Sequence, residues 1–363
     1  MASERPALQT AFEIGVEEIK ELKPGNALII KYHGEVKEEL CLEPKEKKSC
    51  SFERIYFSRG NDSDIYVERK NLGRQLAPAV LDSLEGDLEH SVFSFIPNTS
   101  ETAFMGLTEA IHDHLNSQKV KSILNKETSL SPAEILKILS VKPRFEKLVV
   151  KDDKMRTFIA NDKVRGKMIS HVYDVTYGVV KPGKDTLIVL DDSVVRGATL
   201  KDSIIHILCT LHPKKIVILS SAPQIRYPDC YGIDMSQLDK FVAFQALVEL
   251  LQDHNKEHLL EETLEKCLAQ KHLPAEKMEN HLIALYDSFT YEQVSKKIGQ
   301  MLTPLEYNVE IEIIFQTLEG LHKACPNHTG DWYFSGNYPT PGGVKVVNTA
   351  FINYMQHNDV RAY

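Results

Sequence analysis

The sequence predicts an α/β protein built on a parallel twisted sheet, and three observations carry that prediction. Three apolar, β-branched runs, SVFSFIP (91–97), TLIVL (186–190) and KKIVILS (214–220), are too short for helices and too apolar for solvent-washed strands. Longer stretches with apolar residues at helical spacing separate them. Two of the runs pass straight into a polar loop and a helix start, NTSETAF and DDSVVRGATL, the strand–loop–helix order that puts functional loops at the carboxyl ends of strands.

The elements follow in chain order. PGNALIIKYHGEV (24–36) predicts a strand pair turning at His33–Gly34, and EPKEKKS (43–49) a polar linker. Leu72, Leu76, Val80, Leu81 and Leu84 predict a helix within 66–85. After the strand at 91–97, Ser100 is placed to cap the next helix. A charged, helix-prone stretch covers 110–147, with a break at Ser131–Pro132. VYDVTYGVV (172–180) and the turn KPGKD precede the strand at 186–190. A helix carrying Leu200, Ile204, Ile207, Leu208 and Leu211 follows, then the strand at 214–220. The segment 236–302 is predicted mostly helical. The tail from 324, rich in Gly, Pro and aromatics, is predicted irregular.

Bulk properties narrow the function. A chain of 363 residues suits two domains, or one with large additions. The net charge of −8, with no sustained basic block, argues against a nucleic-acid partner. No apolar run reaches membrane-span length, and MASERPALQT has no signal-peptide core, so a cytoplasmic protein with no membrane partner is expected. The six scattered cysteines are expected to be reduced.

The stretch LIVLDDSVVRGATL (187–200) carries the chemistry. Asp191 and Asp192 stand where a buried strand emerges, and successive side chains there point to opposite faces. Carboxylates in that position suit sugar hydroxyls or a hard cation such as Mg²⁺. Ser193 to Thr199 then supply backbone N–H groups, two hydroxyls and a flexible glycine before a helix, a cradle for phosphate. Diol and phosphate recognition side by side describe a sugar-phosphate site. A single aspartate at a strand end is more often just solvated; the ordered set is what points to a ligand.

These residues resemble the phosphoribosyl-pyrophosphate (PRPP) motif of type I phosphoribosyltransferases, and DDSVVRGAT more closely the DDSIVRGTT form of the amidophosphoribosyltransferase family. CSFERIYFSRG (50–60), FSFIPNTS (93–100), MRTFI (155–159), SSAPQIRYPDCYGIDM (220–235) and SGNYPTP (335–341) are similar to further family stretches. RPALQTAF and IKELKPGNALII resemble the last strands of the family's glutaminase domain. The resemblance implies a type I phosphoribosyltransferase fold with a helical insertion. It divides the chain into a glutaminase-like remnant at 1–45, a phosphoribosyltransferase domain at 50–235, and a helical C-terminal region with its tail at 236–363.

It also implies the site. Asp191 and Asp192 match residues that contact the ribose and help hold Mg²⁺. Ser193, Val194, Val195, Arg196, Gly197, Ala198 and Thr199 match the 5′-phosphate loop. Asn98, Thr99 and Ser100 match the pyrophosphate loop, Thr99 on the metal side, although the family often has an acid where Asn98 stands. Arg156 and Lys151 match catalytic cations of a loop that closes over PRPP. Lys154 could join them, and Arg165 and Lys167 match a basic pair, but KDDKMRTF is one residue shorter than the family loop and carries the extra acids Asp152 and Asp153.

The implied reaction forms 5-phosphoribosylamine from PRPP and ammonia, the first step of purine biosynthesis. A homo-oligomer and a separate glutaminase chain are the protein partners it suggests. Glutaminase chemistry is expected to be absent from this chain, because no cysteine can become residue one. A 4Fe–4S cluster, which some members hold, is not expected: Cys50 and Cys325 match ligand positions, Cys230 is displaced by one, and His328 or Tyr333 stands where a fourth cysteine would be. Two other functions remain open at this stage, a PRPP-sensing regulator and a nucleobase salvage phosphoribosyltransferase.

Overall fold

The computed structural model describes residues 1–124, 130–151, 173–197, 200–230 and 235–362. Its centre is a five-stranded sheet in the order β4-β3-β7-β8-β9, formed by β3 (Ser91–Phe95), β4 (Arg144–Phe145), β7 (Thr186–Asp191), β8 (Lys215–Ser220) and β9 (Glu310–Phe315). Every neighbouring pair is parallel. Two small antiparallel sheets stand apart. One is a hairpin of β1 (Asn26–Ile30) and β2 (Val36–Leu40), the other pairs β5 (Val149–Lys151) with β6 (Tyr173–Val175). The fold is α/β with a parallel sheet flanked by helices, as the sequence predicts.

The apolar strands are buried because both sheet faces are covered, and their alternation splits the core in two. Phe93, Phe95, Ile188, Leu190, Val217 and Leu219 pack with Leu76, Val80, Leu107 and Ile111 of helices α2 (Ser63–Ser83) and α3 (Glu101–Leu124). Val92, Leu187, Val189, Ile216 and Ile218 face the other core, with Ile204, Phe244, Leu247, Ile298 and Phe351. Asp62 caps α2, its carboxylate accepting from the Asp64 and Ile65 N–H groups. The two helices cross so closely that Gly73 and Gly106 have backbone oxygens where a Cβ would stand.

Several expectations need correction. The stretch 110–147 is not wholly helical: α3 ends at Leu124, a second helix, α4, spans Pro132–Ser140, and Arg144–Phe145 pairs as the edge strand β4. The C-terminal region is not only helical either, since β9 joins the central sheet beside β8. The tail from 324 is not irregular. Trp332–Ser335 forms a helical turn and Pro341–Met355 a fifteen-residue helix that buries Val347 and Phe351. Its proline stands at the helix start, where a missing N–H costs nothing. Ser100 sits just before α3, but its hydroxyl donates back to the Ile96 carbonyl.

Candidate active site

Register brings the two singled-out loops together. Phe95 of β3 lies beside Leu190 of β7, and the Ile96 N–H donates to the Leu190 carbonyl at 2.8 Å. The chain therefore leaves both strands at one edge of the sheet, into 96–100 and 192–197. Between these loops lies a cavity of about 440 Å³, lined by Asn98, Thr99, Asp191, Asp192, Ser193, Val194, Val195 and Arg196, with Lys151 at its side. The Pro97–Asn98 peptide beside it is cis.

The remaining sequence-derived residues divide into two groups. Ser100 and Gly197 are buried and lie outside the lining. Gly197 is needed for close approach: a Cβ there would meet the Val242 side chain at 2.8 Å. Arg156, Lys154, Arg165, Lys167, Ala198 and Thr199 lie outside the described residues.

Local hydrogen bonds fix the carboxylates. The Asp192 N–H donates to Asp191 Oδ1 at 2.8 Å, and Ser193 Oγ donates to Asp192 Oδ1 at 3.1 Å. The Thr99 side chain, from the opposite loop, favours the charged form of Asp192. Backbone N–H groups of Ser221 and Ala222 donate to the Asp191 and Asp192 carbonyls, both at 3.0 Å, so β8 buttresses the turn. Burial, and then the Asp192 charge, hold the Asp191 carboxyl well above its ordinary value, against one backbone donor. Burial raises Asp192 as well, opposed by Ser193, Thr99 and the positive charge of Arg69.

Two adjacent, half-buried carboxylates with raised protonation thresholds favour a cation between or beside them. With the Thr99 hydroxyl they make an all-oxygen donor set, which fits Mg²⁺. No group of three or more His, Cys, Asp or Glu side chains among the described residues could hold a metal. An ion held there would need further oxygens from outside these three groups to complete its shell.

The opposite wall is aromatic and was not read from the sequence. Phe52, Tyr56, Phe57 and Tyr173 line the cavity, with Met235. The Phe52 and Tyr56 rings stack at 6.0 Å, and Tyr56 meets Phe57 edge-on at 5.1 Å. Burial, followed by the two aspartate charges, raises both the Tyr56 and Tyr173 phenols, which stay neutral donors. The aromatic density of SFERIYF was the available signal.

Cys50 is half-buried and Cys325 buried, and burial pushes the Cys50 thiol up to about 11 and the Cys325 thiol to about 12. Tyr333 is engaged otherwise, its hydroxyl donating to Asp229 Oδ1 at 2.7 Å. Of the other cysteines, Cys41 is exposed on the chain just after β2, and Cys209 and Cys267 are buried within helical segments. No described helix is long and apolar enough to cross a membrane.

No family model matches the chain. Amidophosphoribosyltransferases of Pasteurella multocida and Haemophilus influenzae are 26% and 27% identical over 247 and 248 residues, in each case 67% of this chain and 42% of the relative. The mouse amidophosphoribosyltransferase is 26% identical over 314 residues, 82% of this chain and 53% of the relative. The chain thus spans about four tenths to a half of the length of these curated relatives. A solved glutamine PRPP amidotransferase from B. subtilis, complexed with ADP and GMP, superposes with a TM-score of 0.52 at 23% identity, over 89% of this chain and 53% of that one. In sequence the chain is similar to amidophosphoribosyltransferases, and in fold to the phosphoribosyltransferase part of a PRPP amidotransferase.

Proposed function

We propose that this chain binds PRPP together with Mg²⁺ and transfers its phosphoribosyl group to ammonia, forming 5-phosphoribosylamine and pyrophosphate. The observation that carries the reading is the convergence of loops 96–100 and 192–197 on one cavity. Asp191 and Asp192 accept hydrogen bonds from the ribose hydroxyls, and the N–H groups following Ser193 cradle the 5′-phosphate. Thr99 and the backbone of Asn98–Thr99 receive the departing pyrophosphate, with Lys151, which also lines the cavity, and Arg156 as the cations that screen its charge.

Mg²⁺, held by Asp191, Asp192 and Thr99 with the substrate, would neutralise charge on the departing pyrophosphate. The C1–O bond breaks as the C1–N bond forms, and the added nitrogen releases one proton to solvent. A small neutral nucleophile needs no strong base from the protein. The aromatic wall limits water at C1.

A pyrophosphate-release assay with PRPP and Mg²⁺ tests this. Turnover with ammonium alone supports it. Turnover only with a nucleobase assigns a salvage phosphoribosyltransferase. PRPP binding without turnover by any acceptor assigns a sensor. Failure to bind PRPP refutes the reading, and direct use of glutamine refutes the expectation that glutaminase chemistry is absent.

A further inference from the structure

A buried cation next to this cavity has no part in the chemistry above. Arg69, on α2, is only 5% exposed, and no carboxylate among the described residues pairs with it. Its Nε donates to the Arg54 carbonyl at 3.0 Å, and its Nη2 to the Tyr56 and Ser58 carbonyls at 3.2 and 2.7 Å. These three carbonyls belong to one short stretch, the π-helical turn Glu53–Phe57 and the residue after it. That turn carries Tyr56 and Phe57 into the cavity, with Phe52 at its start.

A buried guanidinium without a counter-carboxylate is expensive, and an apolar side chain would fill the same volume at less cost. A planar fork with several fixed donors can gather carbonyls that diverge; no apolar residue can. The packing around it is tight as well, since a Cβ on Gly60 would stand 2.8 Å from Arg69 Nη1. The Arg69 charge also favours the charged form of Asp192.

We propose that Arg69 is a positioning residue, a clamp that holds the turn 53–58 so that Phe52, Tyr56 and Phe57 form a fixed wall opposite Asp191 and Asp192. The inference rests on the PRPP reading for its effect on binding, but not for the clamp itself. α2 thereby couples the sheet to the site: three residues along, the Leu72 carbonyl accepts from Gln316 Nε2 at 2.9 Å, just beyond β9.

The test uses Arg69→Met, Arg69→Lys and Gly60→Ala in the full chain. Gly60→Ala displaces the guanidinium without deleting it. Hydrogen exchange of the free protein and titration with PRPP and Mg²⁺ are measured for each. Leu107→Ala, a buried core residue outside the cavity lining, serves as a destabilised control. All three clamp variants are expected to speed exchange of the 53–58 amides and to weaken PRPP binding about tenfold, the scale of lost outer-shell support. Leu107→Ala is expected to lower the melting point without either effect. Unchanged exchange at 53–58 in Arg69→Met and Gly60→Ala overturns the clamp. PRPP affinity within twofold of the parent overturns its bearing on the site. If the parent itself fails to bind PRPP, the functional reading falls, and exchange alone decides the clamp.

Discussion

Replacing Asp191 by Asn separates the cost of the site from its use. The amide oxygen keeps the shape and can still accept the Asp192 N–H, now at 2.8 Å, while the charge beside Asp192 is removed. Both carboxyls are raised in the folded protein, by burial first and, for Asp191, by its neighbour's charge. The sign follows by linkage. As pH rises past the ordinary value of 3.8, the unfolded chain releases these protons before the folded one does. The ligand-free protein therefore loses stability from that pH upward, through the raised range. Asp191→Asn relieves this above the ordinary carboxylate range and changes little below it. A gain of about 0.5–2 kcal/mol is expected, the usual size for relaxing a functional site. In a chain of 363 residues that is a rise of roughly 1–3 °C. The assay is a set of thermal melts at pH 4 to 8 in chelator, repeated with Mg²⁺ and PRPP. The parent should gain about 2.7 kcal/mol at a hundredfold excess of ligand over its dissociation constant, and the variant nothing. A variant less stable than the parent at pH 8 in chelator would refute the electrostatic reasoning. One that keeps the ligand-induced gain would remove Asp191 from the site.

Other perturbations follow from named contacts. Thr99→Val deletes the hydroxyl that favours the Asp192 carboxylate and is expected to weaken PRPP·Mg²⁺ binding about tenfold, read by calorimetry, with the melting point within about 1 °C. Gly106→Ala sets a Cβ 1.8 Å from the Lys70 carbonyl oxygen, and Gly73→Ala the same distance from that of Ala103. Each must push α2 and α3 apart, at about 3 kcal/mol in denaturant titration; a cost below 1 kcal/mol contradicts the packing. Alkylation at pH 8 should reach exposed Cys41 first. Cys50, pushed up to about 11, and Cys267 and Cys325, pushed to about 12, should react only after unfolding, as peptide mass spectrometry would show.

What the sequence reveals here follows burial. Strands β3, β7 and β8 are largely apolar on both faces because helices cover both, so their nature shows without any partner in view. The loops after β3 and β7 are legible for a related reason: a buried strand that ends in two carboxylates, or in Asn-Thr-Ser, breaks its own pattern where it meets the cavity. The aromatic wall has no such local mark. Phe52 and Tyr56 would read as ordinary core residues, and Tyr173 reaches them only because β6 pairs with β5 from far along the chain.

Strand β4 is hidden for the same reason. Two residues have no periodicity, and what holds Arg144–Phe145 at the sheet edge is remote. Arg144 pairs with Asp185 at 2.7 Å, and Phe145 meets Phe93 at 5.2 Å. In β9, Glu310 is exposed and Glu312 half-buried between buried Ile311 and Ile313, an alternation present in EIEIIF but overshadowed by the helical residues before it. Arg69 is the sharpest case. On a helix rich in charge it reads as a solvated arginine, and only the fold shows it buried against three carbonyls. Strand-end chemistry can thus be read from local pattern, whereas the groups that hold the site in shape are set by contacts between distant segments, and only coordinates reveal them.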